Sequence, residues 1–313
     1  MKIIKPKRLK KADLIGIISP ASAPSDLNRI NSAVKYFENI GYRVKVGKNA
    51  EKQNKYLAGT DEERLDDFHS MFSDKEVKAI LSARGGYGSS RLLDKINYSL
   101  IKKHPKIFIG YSDITALQLA IFKETGLVTF AGPMPAVDFW DKVNSFTEEN
   151  FWKLITSSKK IGKLQNPNSE PFYSITSGRC EGKMLGGNLS MIISLLGTPY
   201  LPNLKNSILF LEEVNEKPFR IDRMFNQLRL AKIFNEVIGI VLGRFVDCYE
   251  NDPQKTSFKL NDVISDYFSK LKIPVVYNVK HGHIKQNITL PIGLKTKINT
   301  SRNFIEILES GVS

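Results

Sequence analysis

The chain predicts an α/β protein of two domains, an N-terminal one built on a doubly wound parallel sheet and a second α/β domain after it. Three observations predict it. Short apolar runs alternate with amphipathic helical segments through the first half; the tract SSKKIGKLQNPNSEPFYSITSG then breaks that periodicity; and a second strand and helix series follows. At 313 residues the chain has room for two domains that each bury a core.

Residues 13–19 read as a short apolar strand, 26–40 as a helix ending at Gly41, 42–46 as a strand and 61–71 as an amphipathic helix. Residues 77–82 form a strand that enters the turn Arg84-Gly85-Gly86-Tyr87-Gly88, and a helix follows over 89–93. Residues 106–109 are the strand before Ser112, and the helix after it runs to about 124, with Gly126 placed to stop it. Strands joined by crossover helices imply a parallel sheet whose ligands sit at the carboxyl ends of the strands, where both RGGYG and Ser112 lie. The domain over 1–160 gives way to a linker at 161–177 and a second domain at 178–313. There, residues 178–185 and Gly186-Gly187-Asn188 lead into a helix at 189–196. A buried strand at 207–212, a helix at 220–231, a strand at 237–243 and a helix at 260–271 follow, with strands at 275–279 and 304–308. No internal repeat or low-complexity segment is present.

The composition, 42% hydrophobic and 25% charged, is that of an ordinary soluble protein, and no apolar run reaches the length of a membrane span. The basic start MKIIKPKRLKK is followed by an apolar stretch, 14–18, too short for a signal-peptide core, so a cytoplasmic protein without membrane partner is expected. Cys180 and Cys248 are too few and too far apart to suggest a disulfide framework or a zinc cluster. His281 and His283 are the one histidine grouping, and without a carboxylate or thiol at ligand spacing no metal is expected; His69 and His104 read as surface residues. The net charge of +14 is scattered outside the first eleven residues, which argues against a nucleic-acid partner and for a mild attraction to carboxylate-bearing small molecules.

The segment KIFIGYSDIT carries the chemistry. A serine between a buried strand and a helix is displayed outward beside the first helical N–H groups, which suits a nucleophile. Gly110-x-Ser112-x-Ile114 lacks the second glycine of the usual elbow, and a helix N-cap is the competing reading. A nucleophilic serine needs a base, for which His283 and His281 compete, and a carboxylate to orient it. Glu212, ending the apolar run ILFLE, is the candidate, with Glu213 and Glu216 as alternatives. The glycines of RGGYG allow backbone N–H groups to converge on a phosphate or an oxyanion, or else simply satisfy a turn with positive φ. The turn matches neither a dinucleotide nor a P-loop motif.

Together, ARGGYGSSRLL, GYSDIT, MLGGNLS, LFLEEVNEKPFRIDRM and GHIKQNITLPIG resemble the LD-carboxypeptidase family of serine peptidases, which includes murein tetrapeptide carboxypeptidases and microcin C immunity peptidases. The similarity begins with KPKRLKKADLIGIISPASAP and spans nearly the whole chain. It implies a Ser112, Glu212, His283 triad split between the two domains, an active site at their interface, and oxyanion donors at Gly86 and the N–H of Asp113. It implies no metal or organic cofactor, removal of the terminal D-alanine from cytoplasmic murein tetrapeptides in peptidoglycan recycling, and a possible homodimer. Arg84 and Tyr87 stand near enough to the site to be substrate-binding candidates, although Arg84 suits a structural ion pair equally. The immunity branch, acting on peptidyl or aminoacyl nucleotide analogues, is the alternative. Trp140 and Trp152 fall outside the MLGGNLS region, leaving no aromatic platform there to stack a base. A non-catalytic small-ligand-binding protein is the remaining class.

Overall fold

The protein is described by a computed structural model covering residues 2–313. The first half lays down β1 (Leu14–Ile18), α1 (Asn28–Asn39), β2 (Arg43–Val46), α2 (Asp61–Ser73), β3 (Val77–Ser82), α3 (Tyr98–Lys103), β4 (Ile107–Gly110), α4 (Thr115–Thr125) and β5 (Thr129–Ala131). The five strands pair in parallel in the order 2-1-3-4-5, the doubly wound arrangement. β1 and β4 are buried at every residue because helices cover both faces, which is why they read as continuous apolar runs. β2, RVKV, lies at the edge and keeps its charged side chains outward. α2 begins with a capping box in which Thr60 and Glu63 satisfy each other's backbone N–H groups.

α4 is apolar nearly all round, TALQLAIFKET, with nine of its eleven residues buried. A helix like this must be enclosed, and here it lies between the first sheet and the second half of the chain. Gly126, at φ +78°, ends it in the left-handed conformation its position predicts.

After α5 (Pro135–Asp138) and α6 (Ser145–Thr156), residues 161–177 contain two short strands, β6 (Gly162–Lys163) and β7 (Tyr173–Thr176). The remainder comprises β8 (Arg179–Asn188), α7 (Leu189–Leu195), β9 (Ser207–Val214), α8 (Pro218–Leu230), α9 (Ile233–Glu236), β10 (Gly239–Val246), α10 (Leu260–Phe268), β11 (Val275–Tyr277), β12 (Leu290–Ile292), β13 (Lys295–Asn299) and β14 (Phe304–Ile307). The second sheet has the order 6-14-13-8-9-10-11-7. β8 to β11 are parallel, while β13, β14, β6 and β7 flank them antiparallel.

The strands and helices named from the sequence appear within a few residues, with one change of type: the helix expected over 89–93 is a single 3₁₀ turn, Ser89–Leu92. α3, α5, α6, α9, β5, β6, β7, β12 and β13 are additional, β6 and β7 lying in the stretch 161–177 expected as a linker. β12 leaves its neighbours and pairs antiparallel with β5 as the edge of the first sheet, Leu290 opposite Ala131. Pro291 is tolerated there because an edge strand has one side without a ladder to complete. The chain ends also meet, Ser313 N–H donating to the Pro6 carbonyl at 2.9 Å. No helix among the described residues is long and apolar enough to cross a membrane.

Candidate active site

Ser112 follows β4 at φ +64°, a left-handed backbone rarely adopted by a non-glycine residue. Such strain persists only where the surroundings impose it, and at a strand-to-helix turn it displays the side chain. Gly110 packs against Ile114, whose Cγ2 would lie 2.8 Å from any Cβ placed there, so the elbow closes with an isoleucine where a second glycine usually stands. Ser112 itself is partly exposed, between buried Tyr111 and Asp113.

The RGGYG turn lies directly against the serine. A Cβ on Gly85 would sit 3.0 Å from Ser112 Cβ and 3.3 Å from the Asp113 nitrogen, so this approach requires glycine. Gly86 has φ +102° and is exposed beside it. Neither the Gly86 nor the Asp113 N–H has a hydrogen-bond partner among the described residues. The Asp113 side chain holds the two turns together: its Oδ2 accepts the Ser89 N–H at 2.9 Å, while its carbonyl accepts the Ser89 hydroxyl at 2.6 Å. Burial raises the Asp113 carboxyl above its ordinary range, partly offset by those hydrogen bonds. Behind the turn, the fully buried Arg64 guanidinium donates to the carbonyls of Pro20 (2.6 Å) and Gly88 (2.8 Å), tying the end of β1 to RGGYG.

From the second half, Glu212 near the end of β9 is 1% exposed, and its Oε2 lies 2.9 Å from His283 Nδ1. Gly282, at φ +134°, allows that approach, since a Cβ there would stand 3.0 Å from the same oxygen. The His283 ring meets Tyr111 edge-on with centroids 5.1 Å apart, which brings it beside the residue preceding Ser112. Burial disfavours the imidazolium, but the Glu212 hydrogen bond and charge outweigh it, helped by Glu213 and Asp138, so the His283 pKa lies above its ordinary value. Neither Ser112 Oγ nor His283 Nε2 has a hydrogen-bond partner among the described residues, so both remain available to a substrate or to each other.

The competing residues point elsewhere. His281 is fully buried, its Nδ1 at 2.6 Å from the Ile288 carbonyl and its ring edge-on to Phe210, and burial lowers its pKa. Strand alternation turns Glu213 to the opposite face from Glu212. There it accepts the Ser190 N–H (2.8 Å), the Ser190 hydroxyl (2.6 Å) and the Asn188 amide (2.9 Å), anchoring the start of α7. Glu216 pairs with Arg220 at the surface. Arg84 Nη1 donates to the Ala23 carbonyl at 3.2 Å and has no carboxylate partner among the described residues. Tyr87 is 46% exposed, donates its N–H to Ser22 Oγ at 3.1 Å, and meets the exposed Tyr56 edge-on. His69, expected at the surface, is partly buried and accepts the Asn97 N–H at 3.0 Å.

Three contributors were not anticipated. Ser22, which braces RGGYG, sits just past β1 in SPASAP, and a serine at a strand's carboxyl end was a usable signal. Thr115 Oγ1 accepts the Asn188 N–H at 3.1 Å, linking the two halves behind the serine. Asp138, whose charge acts on His283, had no local signal.

Residues 15–132 match the LD-carboxypeptidase N-terminal domain and residues 181–298 the LD-carboxypeptidase C-terminal domain. A probable murein peptide carboxypeptidase of Bacillus subtilis is 41% identical over 310 residues, covering 99% of this chain and 95% of that protein. The microcin C7 self-immunity protein MccF of Escherichia coli is 31% identical, covering 97% of this chain and 96% of its own. A solved structure of MccF with glutamyl sulfamoyl guanosine superimposes with a TM-score of 0.89, at 29% identity and 99% of both chains. The muramoyltetrapeptide carboxypeptidase of Oxalobacter formigenes does so at 0.82, with 30% identity over 94% of this chain and 97% of that one. With both domain profiles matched in order and relatives aligned along nearly its full length, this chain belongs to the LD-carboxypeptidase family of peptide hydrolases.

Proposed function

We propose that the protein is a serine carboxypeptidase that removes the terminal D-alanine from murein tetrapeptides through a Ser112, His283, Glu212 triad. The observation that carries this reading is the 2.9 Å Glu212–His283 pair set beside a serine held at φ +64°. Glu212 fixes the imidazole with Nδ1–H toward itself, leaving Nε2 as the base. Nε2 takes the Ser112 proton as Oγ attacks the carbonyl carbon of the scissile amide. The oxyanion that forms is met by the N–H groups of Gly86 and Asp113, neither of which is committed elsewhere. His283 then gives the proton to the departing D-alanine nitrogen, and the peptide remains esterified to Ser112. Water, deprotonated by the same imidazole, releases the shortened peptide and restores the serine. This sequence of steps needs neither a metal nor an organic cofactor. Arg84, without a carboxylate partner among the described residues, suits the terminal carboxylate of the substrate, and the exposed Tyr87 of the same turn is a second contact. The reading includes a cytoplasmic setting in peptidoglycan recycling and a homodimer.

The likeness to MccF, solved with a sulfamoyl nucleoside, favours a second reading, hydrolysis of aminoacyl nucleotide analogues. The decisive assay measures D-alanine release from a murein tetrapeptide by wild type and Ser112→Ala, with a peptide ending in L-alanine as control. We expect D-specific release and a kcat loss of roughly 10⁴- to 10⁶-fold in the variant. Cleavage of an aminoacyl sulfamoyl adenylate without D-alanine release assigns the protein to the immunity branch. Binding of either ligand without turnover makes it a binding protein.

A further inference from the structure

We propose that Asp138 is a substrate-binding residue that accepts the side-chain ammonium of the diamino acid preceding D-alanine; this deepens the proposed function and rests on it. Asp138 closes α5, which is tied to the end of β3 by the Ala136 N–H, donating to the Ala83 carbonyl at 2.9 Å, and its charge is felt at His283. Its Oδ2 accepts one hydrogen bond, from the Met134 N–H at 2.8 Å, and no lysine or arginine among the described residues reaches it within ion-pair distance.

That is unusual in a chain carrying 46 Lys and Arg against 32 Asp and Glu. The other acidic groups of the site are all engaged: Glu212 with His283, Glu213 with Ser190 and Asn188, and Asp113 with Ser89. Asp113 Oδ1 and Glu212 Oε1 also lack partners but are sealed inside the protein, whereas Asp138 is partly exposed and its charge reaches the imidazole and Tyr111. A partly buried carboxylate with spare lone pairs costs free energy unless a cation supplies the missing partner.

The surroundings fit a side chain running outward from the scissile bond. Asp138 lines a groove of about 570 Å³ with Val137, Trp140, Asp141, Lys142, Asn144 and Lys285, so that two carboxylates and two lysines share its lining. The groove offers the aliphatic stem of a diamino acid the exposed surfaces of Val137 and Trp140. Burial lifts the Asp138 carboxyl to about 6, with the Met134 N–H and His283 pulling the other way, so it is ionised at neutral pH. A carboxylate whose role was only to support the imidazolium would act equally on every substrate. One that binds an ammonium discriminates between substrates, and this difference is measurable.

The test compares kcat/KM for the tetrapeptide L-Ala-γ-D-Glu-L-Lys-D-Ala with that for the same peptide acetylated on the lysine amine, in wild type and Asp138→Asn. Asparagine keeps the acceptor for the Met134 N–H and removes the charge. We expect wild type to prefer the free amine and Asp138→Asn to lose that preference by about 10- to 100-fold, the worth of a charge-assisted hydrogen bond. Asp138→Glu should restore part of it. Equal losses on both peptides, or an unchanged ratio, overturn the proposal. Calorimetric binding of the same two peptides to Ser112→Ala, with and without Asp138→Asn, gives the ratio independently of turnover. If wild type releases no D-alanine while free-amine binding still depends on Asp138, the hydrolase reading fails and this one stands.

Discussion

Glu212 and His283 lie 71 positions apart in sequence and form the one acid–imidazole ion pair among the described residues. To act as a base His283 must be neutral, and because its pKa is raised above 6.5, the acidic limb of the kcat/KM profile should lie above that pH. Glu212→Gln removes the main support for the imidazolium. The limb should then move to lower pH, while kcat falls by roughly 10⁴-fold because the tautomer is no longer fixed. The same shift bears on stability with a defined sign. A folded-state pKa raised above the unfolded value stabilises the fold most below 6.5 and loses that contribution as pH rises through the folded value. The melting difference between wild type and Glu212→Gln should therefore be widest in acid and narrow toward alkaline pH; a difference flat with pH contradicts the pairing. At this scale the sequence offered residue types without partners. Glu212 and Glu213 are adjacent and chemically identical, and only the pleat of β9 turns one to the histidine and the other to α7.

At the level of elements, α4 joins the nucleophile to the second half. Ser112 precedes its first turn, and Thr115 takes the backbone N–H of Asn188 from the end of β8. Gly187, at φ +146°, makes that contact possible, because a Cβ there would fall 2.5 Å from Thr115 Oγ1. Gly187→Ala should cost about 2 to 4 kcal/mol through backbone strain and overpacking. Turnover per folded molecule should also fall, since the displaced helix carries the serine turn, and denaturant melts paired with active-site titration separate the two effects. An unchanged melting curve shows that the junction yields without cost. The helix itself was legible as a strand–turn–helix with a glycine stop. α6 was not read, although Asn144 accepts the Phe146 N–H as its cap and Phe151, Leu154 and Ile155 share its buried face, because the first position of that face is a polar residue, Thr147.

Across the whole molecule the two halves exchange parts. β12 completes the first sheet from the far end of the chain, Thr147 Oγ1 donates to the Lys285 carbonyl at 2.6 Å, and the Asn287 N–H returns to Thr147 at 2.8 Å. A fragment of residues 1–160 would therefore lack the partner of β5 and leave its edge open to other chains. We expect that fragment to aggregate or elute as oligomers in size-exclusion chromatography, and co-expression with residues 161–313 to recover monodisperse material; a stable monomeric fragment shows that β12 is dispensable. The sequence by itself determined the parallel α/β class, the strand-end positions of Ser112 and RGGYG, and the motif resemblance to a peptidase family. Those are local properties, written in apolar runs, turn residues and caps within about a dozen positions. The motif resemblance already implied His283 rather than His281; the tertiary structure decided the contact by which it meets Glu212, that β12 crosses to the first sheet, and that the Asp138 charge reaches the imidazole. Each of these depends on groups brought together from distant parts of the chain, and their closeness is set by how the two sheets pack around α4.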